Sequence, residues 1–318
     1  MKSFYASVLL ALLPFLPLAA GIFDLIPSRS GQVLRIRLPD SAEKGAVIRE
    51  DVLQQFFRLS GLDEEKVPRG VLLETIEEVL IVTPVLMEDY TLIFVKTKVS
   101  EEVFCRRLTE QTGLPIQPVT VNGRTEKRLN LPAVEFFPGV PAKPRTIVFT
   151  FLEKNIAVFA KDSLADYLAG KRNGLSPAKQ RNLASAGALV TGFIEPNFDF
   201  LKENPFFPPL RLMFYSLAGD SSGGLRIRVY AECLDEKSAT QVQMQIQQYV
   251  MLGGILLNQA APELAPMWVS MIRVRRNNSD VFLEADLSAE FIMGLSAASD
   301  KLSANLNLPS DPPKSKTN

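Results

Sequence analysis

The sequence predicts an α+β fold made of two similar modules, each a mostly antiparallel sheet with helices packed on one face. Two observations carry that expectation. A strand that runs into a helix opened by an N-cap and a glutamate occurs twice, at Thr91–Val99 with Ser100-Glu101-Glu102 and at Arg226–Leu234 with Asp235-Glu236, 135 residues apart. A hairpin followed by a serine-capped helix also occurs twice, offset by 125 residues.

The elements follow in order. Val33–Leu38 is rich in branched residues and reads as a strand, followed by a helical run through Val52, Leu53, Phe56, Phe57 and Leu59. Leu73, Ile76 and Leu80 oppose Glu74, Glu77 and Glu78 as in an amphipathic surface helix, while Val79–Pro84 also pairs as a hairpin with Thr91–Val99. Arg145–Leu152 and Ile156–Ala160 flank the turn Glu153-Lys154-Asn155, and Ser163 opens a helix through Leu168. In the second half, Leu189–Ile194 is a strand, Phe198, Leu201 and Phe206 mark a helix, and Leu210–Leu217 pairs with Leu225–Leu234. A long helix starts at Glu236; Trp268–Arg275 and Val281–Ala285 form the last hairpin, and Ser288 opens a helix through Leu295. The expected layout is a signal peptide over 1–21, a first module over 22–172, a linker over 173–187, a second module over 188–304 and a disordered tail over 305–318.

Lys2, the apolar run Phe4–Leu13 and the small residues Ala19-Ala20-Gly21 have the form of a secretory signal, so export to the periplasm or cell envelope is expected. Pro14, Pro17 and Asp24 make the same stretch a poor membrane span. In the oxidising compartment beyond the membrane, Cys105 and Cys233 are candidates for a disulfide, which requires Cα atoms within about 7 Å; two separate buried thiols are the alternative.

The 318 residues include no histidine. Ser-His-Asp triads, Cys-His dyads and His-ligated zinc are therefore excluded. That disposes of the protease-like stretch Gly219-Asp220-Ser221-Ser222-Gly223-Gly224, which lies between two strands and reads as a hairpin turn. Ser41-Ala42-Glu43-Lys44 and Ser176-Pro177-Ala178-Lys179 match the Ser-x-x-Lys spacing of penicillin-binding enzymes, but the companion Ser-Asp-Asn and Lys-Thr-Gly motifs are absent. Asp63-Glu64-Glu65 suits a helix start or solvent, and no acidic loop has calcium-binding spacing. Neither a metal nor a cofactor is expected.

Lys plus Arg and Asp plus Glu both total 35, which leaves no basic footprint for nucleic acid. Arg273, Arg275 and Arg276 alternate with Ile272 and Val274 as on the solvent side of a strand. The phenylalanines Phe198, Phe200, Phe206 and Phe207 read as core. The long helix after Glu236 places Ala239, Val242, Ile246, Tyr249, Val250, Gly253 and Leu256 at helical spacing, and its end, YVMLGGILL, is apolar almost all round. Such a helix is usually buried; the functional reading is that Tyr249, Met251, Leu252, Leu256 and Leu257 line a lipid-like pocket or a protein interface.

The segments FVKTKVSEEVF, NIAVFAKDSLADYLAG, RVYAECLDEKSATQ and DVFLEADLSAEFI give the chain a layout that resembles signal-peptide-bearing, duplicated α+β proteins of planctomycete and verrucomicrobial bacteria. The resemblance implies an exported protein and brings no catalytic residue with it. The functional expectation is an exported, non-catalytic binding or scaffold protein with a lipid-like ligand or an envelope protein as partner. A carboxylate-dependent hydrolase such as a glycosidase and a purely structural envelope component are the alternatives.

Overall fold

The computed structural model describes residues 22–27, 30–37, 75–84, 91–121, 123–131, 145–170, 174–185, 187–195, 210–219, 222–295 and 298. The signal-peptide and tail expectations, the helices expected around Val52–Leu59 and Phe198–Phe206, the motif Ser41–Lys44 and the cluster Asp63–Glu65 lie outside these residues.

After a 3-10 turn at Ile22–Leu25, the described chain runs β1 (Ser30–Arg37), β2 (Ile76–Pro84), β3 (Leu92–Thr97), α1 (Glu101–Thr112), β4 (Gln117–Val121), β5 (Arg124–Leu131), β6 (Arg145–Glu153), β7 (Ile156–Lys161), α2 (Ala165–Ala169) and α3 (Pro177–Leu183). It continues β8 (Ala188–Ile194), β9 (Leu210–Gly219), β10 (Leu225–Cys233), α4 (Glu236–Ala260), α5 (Ala265–Met271), β11 (Ile272–Asn277) and β12 (Asp280–Leu287), with further helical residues over 289–295. The fold is α+β, and its strands form one 12-stranded sheet in the order β11-β12-β10-β9-β8-β1-β2-β3-β7-β6-β5-β4. Every pairing in it is antiparallel.

β1 and β8 meet in the middle, with Val33 opposite Phe193. Outward from that seam the order is β1-β2-β3-β7-β6 on one side and β8-β9-β10-β12-β11 on the other; the hairpin β4–β5 extends only the first. The strands of both halves join in one sheet, and residues 174–185 lie within the segment expected as a linker. It holds α3, capped by Ser176, with Leu175 and Leu183 buried. The Leu183 carbonyl accepts from Arg35 at 2.6 Å and from Thr191 at 2.8 Å, which ties α3 to both central strands.

Both helices foreseen from their caps form as expected. The Ser100 hydroxyl accepts from the Val103 N–H, and the Asp235 carboxylate accepts from the Ser238 N–H at 2.7 Å. That hydrogen bond holds the Asp235 carboxyl below the usual range. α1 ends at Gly113, whose φ of 67° suits glycine.

The first half is covered on both faces rather than one. α1 packs Phe104 against Val95 and Phe149, while the 3-10 turn and α2 bring Ile22, Leu25, Ile26, Leu164 and Tyr167 onto the opposite side, against Leu80, Val82 and Phe94. This explains why neighbours Phe94 and Val95 on β3 are both buried, although successive strand residues point to opposite faces.

Two further expectations are corrected. Residues 76–84 are strand β2, not part of an amphipathic helix. Ile76, Val79, Ile81, Val82 and Thr83 are β-branched and suit a pleated surface, and Glu78 alternates inward with Leu80 and Val82. Trp268–Met271 is the second half of α5, so the last hairpin begins at Ile272. Pro266 sits in the first turn of α5, and the Trp268 indole, donating to the Val250 carbonyl at 2.8 Å, fixes α5 against α4.

Candidate functional site: the outer face of helix α4

α4 spans 25 residues and carries no charged side chain after Lys237. Its inward stripe, Ala239, Val242 and Ile246, packs on Ala231, Cys233 and Val281 of β10 and β12. Two helical turns further on, Gly253 and Leu257 take up the same stripe but face α5 instead of the sheet. A Cβ on Gly253 would lie 2.9 Å from the Trp268 Nε1, so only glycine permits this approach.

The opposite stripe, at i, i+7 and i+11, is Met244, Met251 and Ile255, with Leu252 beside it. Met251 is 66 % exposed, Tyr249 62 %, Ile255 56 % and Leu252 51 %. Val269 of α5 extends the patch and is also exposed. Exposed Gln247, Gln248, Asn258 and Gln259 border it.

Of the five residues singled out from sequence, Met251 and Leu252 therefore share an exposed surface, while Tyr249, also exposed, stands two positions before Met251 and so on a different side of the helix. Leu256 is partly buried. Leu257, 5 % exposed, belongs to the interior with Leu264 and Phe291 and lines no outer surface. Ile255, Met244 and Val269 were missed, because a helix end that is apolar all round gives no sign of which side faces water; the packing of Gly253 and Leu257 on α5 decides it.

The candidate disulfide does not form. Cys105 lies beside the Phe104–Phe149 cluster and Cys233 beneath α4, and both thiols are free. β3 and β10, whose clusters hold them, are five strand spacings apart, roughly 24 Å. Burial pushes both thiols up from their ordinary pKa, which favours the protonated form.

Other polar groups serve structural ends. Ser176 caps α3, and Lys179, its partner in the Ser-x-x-Lys spacing, pairs with Glu195 at 2.6 Å over the Phe193 ring. Glu77 pairs with Lys96, Glu78 with Arg35, and Glu101 with Lys127. No cluster of three or more potential metal ligands occurs among the described residues.

No protein-family model and no curated protein matches the chain. One solved structure is similar to it, titled "Structure of crystal form I of TP0453", a Treponema protein. The similarity covers 90 % of this chain and 98 % of that one, with a TM-score of 0.51 and 9 % identity. At that identity it is a likeness of fold.

On the face of the second half turned away from α4 lies an open groove of about 430 Å³. Phe214, Tyr230 and Phe282 cross its floor as directly opposed residues of three neighbouring strands. Burial, together with the Asp280 carboxylate to which it donates at 3.2 Å, pushes the Tyr230 phenol up to about 12. The corresponding face of the first half is the one closed by the 3-10 turn and α2.

Proposed function

We propose that the chain is an exported, non-catalytic binding or scaffold protein of the periplasm or cell envelope, built from two similar α+β modules fused edge to edge through β1 and β8. With the hairpin β4–β5 of the first half set aside, the order first-second-third-fifth-fourth strand outward from the seam repeats in both halves and supports the duplication. The observation that carries the binding role is the exposed group Met251, Leu252, Ile255 and Val269, an apolar patch on a helix otherwise anchored to the body of the protein. The outer side of a packed helix is convex, whereas a lipid-like ligand needs a concave site that buries most of its surface. The patch therefore suits the apolar surface of an envelope protein, with methionines that adapt to an irregular partner.

The test places a photo-crosslinking residue at Leu252, with one at Lys237 on the polar first turn of the same helix as control, in chain expressed with its leader. A discrete protein adduct at 252, absent at 237 and lost with Met251→Lys, is expected. An adduct of lipid mass would replace the protein partner by a lipid. Equal labelling at both positions, or none, would remove the binding role and leave a structural component.

A further inference from the structure

Among the described residues the twelve-stranded sheet ends in two edge strands, and they are unlike. At one end β4 is five residues long and carries Pro118, which has no N–H to offer a neighbouring strand. At the other end β11 is six residues long, free of proline, and pairs among the described residues only with β12. Its sequence, IRVRRN, holds three arginines and no acid.

The first half shows what such an edge can receive. Under the duplicated-module reading, β6 corresponds to β11: each begins the hairpin whose second strand, β7 or β12, pairs with the strand that leads into the long helix. In the first half β6 is not an edge. β5 lies along it antiparallel, from Lys127 opposite Phe149 to Leu131 opposite Arg145. In the second half no described strand takes that place.

Charge selects what fits there. Arg273 and Arg275 stand opposite Glu284 and Phe282 and so project to one face, whereas Arg276, opposite Val281, projects to the other. All three are exposed. Arg275 pairs with Glu284 at 3.0 Å and Arg276 donates to the Asn278 carbonyl at 3.4 Å, while Arg273 makes no ion pair among the described residues. A second copy of the same edge laid antiparallel would set arginine against arginine, and cross-strand like charges repel. An acidic strand would be drawn in by the same side chains.

We propose that β11 is a docking edge that accepts an acidic extended segment of a partner protein as a thirteenth, antiparallel strand. Main-chain hydrogen bonds would hold it, and Arg273 would supply the selectivity. The site is distinct from the apolar outer face of α4 and can act with or without it.

The experiment uses the full exported chain and a fluorescein-labelled hexapeptide alternating valine and glutamate, with a valine–lysine peptide as counter-probe. Anisotropy reads binding, and amide hydrogen exchange reads its location. Expected are binding of the glutamate peptide alone, slowed exchange within Ile272–Asn277, weakening as salt rises, and about tenfold weaker binding for Arg273→Glu with a smaller loss for Arg273→Gln. Met251→Lys should leave peptide binding unchanged; if it abolishes binding, the peptide sits on α4 and the edge proposal falls. Absence of binding, equal binding of the lysine peptide, or unchanged exchange over β11 would each overturn the proposal. So would a dimer dissociated by Arg273→Glu, which would give the edge to a second copy.

Discussion

Removing Arg35 tests how the two halves are held at their seam. Arg35 Nε donates to the Glu78 carboxylate at 2.5 Å, its Nη1 donates to the Leu183 carbonyl, and its guanidinium lies 5.6 Å from the Phe23 ring centroid. The two side chains are only 12 % and 8 % exposed. Arg35→Met strands the Glu78 carboxylate in the interior and should cost about 3–5 kcal/mol, as breaking one side of a buried pair does. Glu78→Leu should cost less, about 2–3 kcal/mol, because Arg35 keeps its bond to α3 and its place over Phe23. In Arg35→Met/Glu78→Leu no buried charge is left, so the double variant should be more stable than Arg35→Met alone, with a coupling of about 2 kcal/mol or more. Urea unfolding measures each value; against a slope of about 3 kcal/mol/M, Arg35→Met lowers the midpoint by about 1 M or more. Additive single and double variants, or a cost for Arg35→Met below about 1 kcal/mol, would show that the pair is solvated and that the seam is held by apolar packing alone.

Four further outcomes follow from the same geometry. Leu257→Ala should cost about 2–5 kcal/mol in urea unfolding, whereas Met251→Lys, on the outer face of the same helix, should stay within about 0.5 kcal/mol of the parent; equal effects would refute the assigned faces. Gly253→Ala adds a methyl 2.9 Å from Trp268 Nε1, so despite the better helix propensity of alanine it should destabilise and shift the emission of Trp268, the single tryptophan, to the red. Ultraviolet titration of the phenols should show a late phase near pH 12 that Tyr230→Phe removes. Because folding raises that pKa from its ordinary value near 10, the associated stability is complete below about pH 10 and is lost as pH rises through 12. Alkylation after unfolding without reductant should modify both Cys105 and Cys233, and an unmodified pair would mean a disulfide.

The strands and capped helices were legible because their causes are local. Ser100, Asp235 and Ser288 each accept from a backbone N–H three residues on, and such caps are written in neighbouring residues. Glu78 was misread because its cause is not local. In the run Glu74–Leu80, helical and strand periodicities both separate acids from apolar residues; burial of Glu78 is decided by Arg35, 43 positions earlier. Trp268–Met271 has strand-like composition, yet the groove beside Gly253 and Gly254 gives the indole a seat that only the helix reaches. The hairpin β4–β5 was not foreseen, since Gln117–Val121 and Arg124–Leu131 are polar strands at the rim of the sheet with little apolar alternation.

The two halves share a strand order and differ in what lies on them, and this difference has a direction. In the first half the face bearing Leu80, Val82 and Phe94 is apolar and would be costly to leave in water, so the 3-10 turn and α2 are required to close it. In the second half the same face alternates an aromatic row, Phe214, Tyr230 and Phe282, with the ion pairs Arg226–Asp286, Arg275–Glu284 and Arg211–Glu232. A face so composed tolerates solvent without a cover, as one side of an antiparallel sheet commonly does. The last helical residues are thereby released to the other side, where Phe291 and Ile292 pack beneath α4, α5 and β10. That packing is what lifts Met251 and Ile255 outward, and β11, paired among the described residues only with β12, is where Arg273 stands without an ion pair among them. Both surfaces proposed for partners thus belong to the second half, whereas the first half carries packed elements on both faces of its sheet.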